Sequence, residues 1–214
     1  MARPIDISMP LAVGMAAFPG DPLFAGEPVR SLARGDGYNV SRISLGTHAG
    51  THVDPPVHFL EGGDPIDRVD LRRLNGPCRV LRIPDGVERI GPAHLASVPR
   101  GTRRLLLRTR NSRRWEESPS FFPDYTALSP EGAQALLARG VDLIGIDSLS
   151  IERDPSGTFP VHHAVLGGGA LILEGLRLAA APPGRYELRC LPLRIADGDG
   201  GPARAVLLRP GRTR

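Results

Sequence analysis

The 214-residue chain contains no lysine, so all 27 of its basic residues are arginine, and Schiff-base or lysine-base chemistry is closed to it. Cysteine is almost as scarce. Cys78 and Cys190 each sit inside an apolar run, "PCRVLRI" and "YELRCLPLRI", where a buried free thiol is expected, in keeping with a reducing compartment. Aromatic residues make up only 5% of the chain, which leaves the core to Leu, Val, Ile and Ala. Long hydrophobic runs are missing too. The apolar patch "MPLAVGMAAF" near the N-terminus is ten residues long, contains Pro10 and has Arg3 as its only basic neighbour. It neither spans a bilayer nor resembles a signal peptide, so a cytoplasmic protein with no membrane partner is expected. The net charge of +4 and pI near 9.8 raise the question of nucleic acid. The arginines are scattered, however, with adjacent pairs only at 72–73, 103–104 and 113–114, so no nucleic-acid partner is expected.

What is present reads as one domain over 1–214, with a frayed tail at 210–214. Short branched apolar runs bounded by Gly, Pro and Asp recur at "YNVSRISL", "CRVLRI", "RRLLLRT", "VDLIGID", "GALILEG", "YELRCLPLRI" and "ARAVLLR", and each predicts a strand. The clearest helix is "LSPEGAQALLARG". Ser129 can cap it, Pro130 suits its first position, Ala133, Leu136 and Leu137 form one apolar face, and Gly140 ends it. Shorter helices are expected in "DRVDLRRLNG" and "GPAHLASV". The class is therefore α/β with more strand than helix.

Five of the six histidines fall in two short segments, "HAGTHVDPPVH" at 48–58 and "VHHAVLGGGALILEGL" at 161–176. In the first, Gly50, Pro55 and Pro56 rule out a continuous helix, so His48, His52, Asp54 and His58 should converge from a shaped loop. Neutral imidazoles and a carboxylate suit Zn²⁺, Mn²⁺ or Fe²⁺, and a carboxylate can bridge two ions. A metallohydrolase also needs a proton carrier that is not a ligand, and spacing alone does not say which of the four it is. In the second segment, Glu174 ends the apolar run "LILE", where a lone carboxylate is costly unless paired or metal-bound. The glycines at 167–169 match neither phosphate-binding pattern and read as a turn. His94 reads as an ordinary surface or helix-start histidine. Trp115 and "SFFPDY" read as a loop packed on the core, with a lid as the alternative.

The stretch "HAGTHVDPPVHF" resembles the H-x-G-T-H-x-D-x-P-x-H signature of the cyclase superfamily, which includes bacterial kynurenine formamidases and isatin hydrolases. "FPGDP", "VDLIGIDSLSIE", "ILEGL", "YELRCLPLRI" and "DGDGGPARAVLL" resemble family segments in the same order. The resemblance implies a strand-rich swivelling β/β/α-type fold, a homodimer or homotetramer, and one or two divalent ions, Zn²⁺ foremost and Mn²⁺ as the alternative. By matching position it implies His48, His52, Asp54, His162 and Glu174 as metal ligands, with Asp54 able to bridge, and His58 as the proton donor and acceptor. His163 falls outside the ligand set. Phe18 stands where the formamidases carry an aromatic residue against the substrate ring, although "DSLSIERDPSGTFPVHH" departs from the pattern of the dedicated formamidases.

Chemistry and resemblance agree on a metal-dependent amidohydrolase. Water attacks the carbonyl of a small N-formyl aryl amide, such as N-formylkynurenine, and formate and an aryl amine leave. The same site would serve a lactam hydrolase of the isatin type, or a cyclase or dehydratase acting on a polyketide-like substrate. A third reading, in which the metal only staples the loop to the strand bearing Glu174, leaves His58 as a surplus polar group.

Overall fold

The computed structural model describes residues 3–118 and 120–210. Their strands are β1 (Ile5–Asp6), β2 (Ala25–Arg30), β3 (Val40–Ser44), β4 (His52–Asp54), β5 (Gly76–Arg82), β6 (Arg89–Ile90), β7 (Arg104–Arg108), β8 (Ala127–Leu128), β9 (Leu143–Ile146), β10 (Leu171–Glu174), β11 (Gly184–Pro192) and β12 (Gly201–Leu208). The helices are α1 (Leu71–Leu74), α2 (Asn111–Glu117), α3 (Pro130–Leu137) and α4 (Pro160–Gly167). All seven strands expected from sequence are present, and the strand-rich α/β class holds. The expected frayed tail, apart from Pro210, lies outside the described residues.

Seven strands close on themselves in the order β12, β11, β5, β7, β9, β10, β4 and back to β12, and β1 adds to the outer edge of β12. Closure leaves the barrel strands without a free edge. The run β5, β7, β9, β10 is parallel, which needs crossovers, and these carry the helices. The strand period of two then sorts the side chains. Leu106, Leu143, Leu171, Leu173, Leu188 and Leu207 belong to the interior cluster. Leu105, Leu107, Ile144, Ile146 and Ile172 face outward, where Leu136, Val161 and Val165 of α3 and α4 cover them. Gly145 is small for a reason: a Cβ there would stand 2.4 Å from Leu106 Cδ2.

Helix α3 begins as its sequence predicts, with the Ser129 hydroxyl accepting from the Gly132 amide. The two shorter helices are corrected. "DRVDLRRLNG" gives a 3₁₀ turn at Ile66–Arg68 and one α-turn, Leu71–Leu74, while "GPAHLASV" gives a 3₁₀ turn at Pro92–Leu95. His94 serves that second turn, its Nδ1 accepting from the Gly91 amide at 3.0 Å. Strand β3 also departs from expectation. It pairs with β2 alone, and every residue of both strands is exposed.

Trp115 packs on the core as expected, but from helix α2 and not from a loop. It is buried against Phe122, and its indole N–H donates to the Asp147 carbonyl at 2.8 Å. The Asp147 carboxylate, at the end of β9, accepts from the amides and hydroxyls of both Thr109 and Ser112, which pins the start of α2 to the barrel.

Candidate metal centre

The first correction at the site concerns the motif itself. His52 and Asp54 do not lie in a loop but on β4, the strand that closes the barrel. Positions two apart share one face, so Val53 enters the interior cluster while His52 and Asp54 point out of it. β4 lies antiparallel to β10 with Glu174 directly opposite His52, so the carboxylate joins the same outer face. A turn before β4 supplies His48, and the 3₁₀ turn Pro56–His58 after it supplies His58. Helix α4 then brings His162 over this face, while His163 is exposed and meets the Phe59 ring edge to face, with ring centroids 5.3 Å apart.

Two glycines make the approach possible. Gly175 has φ +64°, and a Cβ on it would fall 2.0 Å from the Gly50 carbonyl oxygen; one on Gly200 would meet the His48 ring at 2.7 Å.

The result is a nest of five side chains. His48 Nδ1 lies 2.9 Å from Asp54 Oδ1. His52 Nε2 lies 3.3 Å from both Asp54 Oδ1 and Glu174 Oε2. His162 Nε2 lies 3.5 Å from Glu174 Oε1 and 4.0 Å from Asp54 Oδ2. The trios His48, Asp54, His58 and His52, Asp54, Glu174 each offer ligand atoms within 4.8 Å of one another, and they share Asp54. The fold thus gathers His48, His52, Asp54, His58, His162 and Glu174 around one cavity.

The outward nitrogens are tied off. His52 Nδ1 meets the Gly50 carbonyl at 2.9 Å, and His162 Nδ1 meets Glu152 at 2.5 Å. This is how ligating imidazoles are oriented: the far nitrogen is held so that Nε2 points inward. His48 Nε2 and Asp54 Oδ2 are buried with no hydrogen-bond partner, a costly arrangement for a protein lacking a further group there. Three imidazoles, two buried carboxylates and two orphaned atoms fit a divalent cation.

Electrostatics follow from this crowding. Burial pulls His52 and His162 down, but carboxylates outweigh it: Asp54 and then Glu174 raise His52 to about 10, and Glu152 and Glu174 raise His162 to about 10. Burial raises Asp54, yet His52 and His48 bring it well below the usual range. Glu174 is also lowered: burial and Asp54 push it up, and His162 and His52 outweigh them. His58 behaves oppositely. Burial lowers it to about 4 despite Asp54, with His48 and His162 pushing the same way, so its imidazole is neutral at neutral pH. It stacks on His48 with centroids 3.9 Å apart.

A cavity of about 290 Å³ opens onto this face, walled by Phe18, Phe59, Phe159 and Leu149, with Ser150 and Asp21 among its polar groups. Phe18 also contacts Phe121 edge to face at 5.9 Å. Besides Phe59, Phe159 and Leu149 of the wall, three polar contributors escaped the sequence reading. Asp21 comes from the turn Phe18–Pro19–Gly20–Asp21, where the Asp21 amide donates to the Phe18 carbonyl at 3.0 Å and Gly20 takes φ +100°; "FPGD" carried that turn signal. Ser150 and Glu152 follow β9, and nothing in "SLSIE" marks them locally.

Comparison with known proteins agrees with this geometry. Residues 5–153 match the Cyclase family model, which is more than half of the chain. A kynurenine formamidase of Maricaulis maris (strain MCS10) is 38% identical over 211 residues, covering 97% of this chain and 98% of that protein. A solved structure described as a predicted metal-dependent hydrolase from Bacillus stearothermophilus superposes with a TM-score of 0.82 at 30% identity, over 97% of this chain and 98% of the other. Isatin hydrolase A from Labrenzia aggregata shares the fold, with a TM-score of 0.81 at 21% identity over 98% and 94% of the two chains. Motif, barrel and full-length likeness coincide, and the chain belongs to the Cyclase family.

Proposed function

We propose that this hydrolase cleaves the formyl C–N bond of N-formyl aryl amides, with N-formylkynurenine as the type substrate, releasing formate and the aryl amine. The chain is a metal-dependent hydrolase acting on C–N bonds, as its formamidase relatives and its hydrolase neighbours are described. The observation that carries the substrate class is the cavity. It sets an aromatic wall of Phe18, Phe59 and Phe159 against the histidine and carboxylate face.

His48, His52, Asp54, His162 and Glu174 hold the metal in this reading, with Asp54 common to both trios. Zn²⁺ suits three imidazoles and two carboxylates best, with Mn²⁺ as the alternative, one or two ions per chain. A divalent cation held there supplies Lewis acidity, lowering the pKa of water and polarising a carbonyl oxygen. His58 does the proton work. Neutral at working pH and beside the ligand face, its imidazole takes a proton from the attacking water and returns it to the nitrogen of the departing amine, as a C–O bond forms and the C–N bond breaks. Phe18 and Phe59 take the faces of the aryl ring and exclude water from it.

A homodimer or homotetramer is part of the proposal. The hairpin of β2 and β3 is solvent-exposed throughout and carries Val29, Val40 and Ile43, and an isolated two-stranded ribbon is marginal alone in water. A cytoplasmic setting suits two free, buried thiols whose pKa values burial pushes up to about 12. No helix among the described residues is long and apolar enough to cross a membrane.

The test is hydrolysis of N-formylkynurenine by purified protein before and after chelation, with zinc and manganese restored separately. Kynurenine release restored by metal is the expected result. Metal-replete protein that leaves N-formylkynurenine intact and opens isatin would transfer the site to a lactam.

A further inference from the structure

A second cavity, also of about 290 Å³, lies away from the histidines, and five arginines line it: Arg79, Arg100, Arg103, Arg104 and Arg185. No acidic residue lines it. Arg103 is matched by Asp142, and buried Arg104 spends its N–H groups on the carbonyls of Arg72, Arg73 and Pro77. Among the described residues, Arg79, Arg100 and Arg185 have no carboxylate partner. Two of these three face each other: Arg79 on β5 and Arg185 on β11 are direct cross-strand partners. Like charges placed opposite one another in an antiparallel pair are destabilising, so the barrel carries a local cost at this spot.

The cavity touches the first residues of β5 and β7, whereas Glu174 ends β10 and Ser150 follows β9. The arginines therefore sit at the end of the parallel strands opposite the candidate metal centre.

We propose that this arginine-lined cavity binds a small phosphate-class oxyanion, inorganic phosphate or the phosphate group of a small metabolite. Guanidinium groups present paired N–H donors that match phosphate oxygens, and several converging on one concavity neutralise a doubly charged anion. The bound anion would stand between Arg79 and Arg185 and turn their repulsion into shared attraction.

The experiment is calorimetric titration of the metal-loaded, full-length protein with inorganic phosphate at constant ionic strength, together with thermal melts in the same buffers. Wild type should show saturable binding and a raised Tm. Arg79→Gln/Arg185→Gln should weaken binding by about tenfold or more, since each lost contact is a charged hydrogen bond. Arg100→Gln, in an exposed turn, gives the same test without touching a barrel strand. A flat wild-type isotherm would overturn the proposal, as would phosphate binding that both variants retain, which would locate the anion at the metal. Binding to phosphatidic acid vesicles with none to free phosphate would also overturn it, in favour of a lipid surface.

Discussion

His162 Nδ1 stands 2.5 Å from a carboxylate oxygen of Glu152, and the same carboxylate accepts the backbone amides of Val161 and His162 at 2.9 Å. One side chain thus starts α4 and aims the imidazole that α4 carries. Without it two first-turn amides lose their partner, and the ring is free to turn. Glu152→Gln keeps the shape and removes the charge. Metal affinity should fall by about 10- to 100-fold, as for outer partners of ligating histidines generally, with the far-ultraviolet spectrum unchanged. Unchanged affinity would leave Glu152 as a helix cap and nothing more.

The same carboxylates make the protein's response to pH depend on its metal. His52 and His162 are raised to about 10 in the fold, from about 6.5 in an unfolded chain. A raised pKa contributes stability that is fully present below the unfolded value and lost as pH rises through the folded one. Metal-free protein should therefore lose Tm progressively from about pH 6.5 to about pH 10. Asp54 and Glu174, both depressed, act at the other end, and their contribution is lost in acid. A cation competes with the protons on His52 and His162, so its affinity rises with pH across the window where metal-free protein weakens. Melts of chelated and metal-replete samples over this range should diverge as pH increases. Parallel curves would mean that these imidazoles do not give up their protons to the metal.

Much of this arrangement is legible in the chain, and the exceptions have physical causes. The barrel strands announce themselves because a parallel strand buried on both faces is a near-continuous apolar run, as "LIGI" is and as "LILE" is up to Glu174. His52–Asp54 does not, because a three-residue strand with polar side chains on the face turned away from the barrel interior and prolines after it looks like a loop. Its strand character comes from pairing with β10 and β12, which are more than a hundred residues away. Helix α4 is hidden for a related reason. Its N-cap, Phe159, is held at φ 49° and has no side-chain hydrogen bond to give; the capping carboxylate is Glu152, outside any local pattern. The cluster of histidines and carboxylates is legible despite these errors, since it depends on residue type and spacing more than on the element that bears each residue.

Phe18 tests the aromatic wall. It is half-buried, lines the cavity and meets Phe121 edge to face, and both rings lie against the cluster of Trp115, Phe122 and Tyr125. Phe18→Ala removes one face of the aryl slot and leaves the ligand set alone. KM for N-formylkynurenine should rise by about tenfold, the scale of a lost aromatic contact of roughly 1.5 kcal/mol, with kcat largely kept. A fall in kcat at unchanged KM would mean that the ring acts on the reacting amide and not on ground-state binding.

The most discriminating pair of variants separates His58 from Asp54. Both lie in the trio with His48, so distance alone admits each as a ligand. Their surroundings differ. Asp54 is fully buried, faces His48 and His52 through one oxygen and leaves the other without a partner, whereas His58 is half-buried, stacks on His48 and opens to the cavity. His58→Ala should keep its metal by elemental analysis and lose about 10²- to 10⁴-fold in turnover, the range for a missing general acid and base. Asp54→Ala should lose metal and turnover together, and added metal should not rescue it. If His58→Ala emptied the site while its fold persisted, His58 would be a ligand, and the proton would have to be carried by another cavity group, of which Asp21 is the nearest in kind.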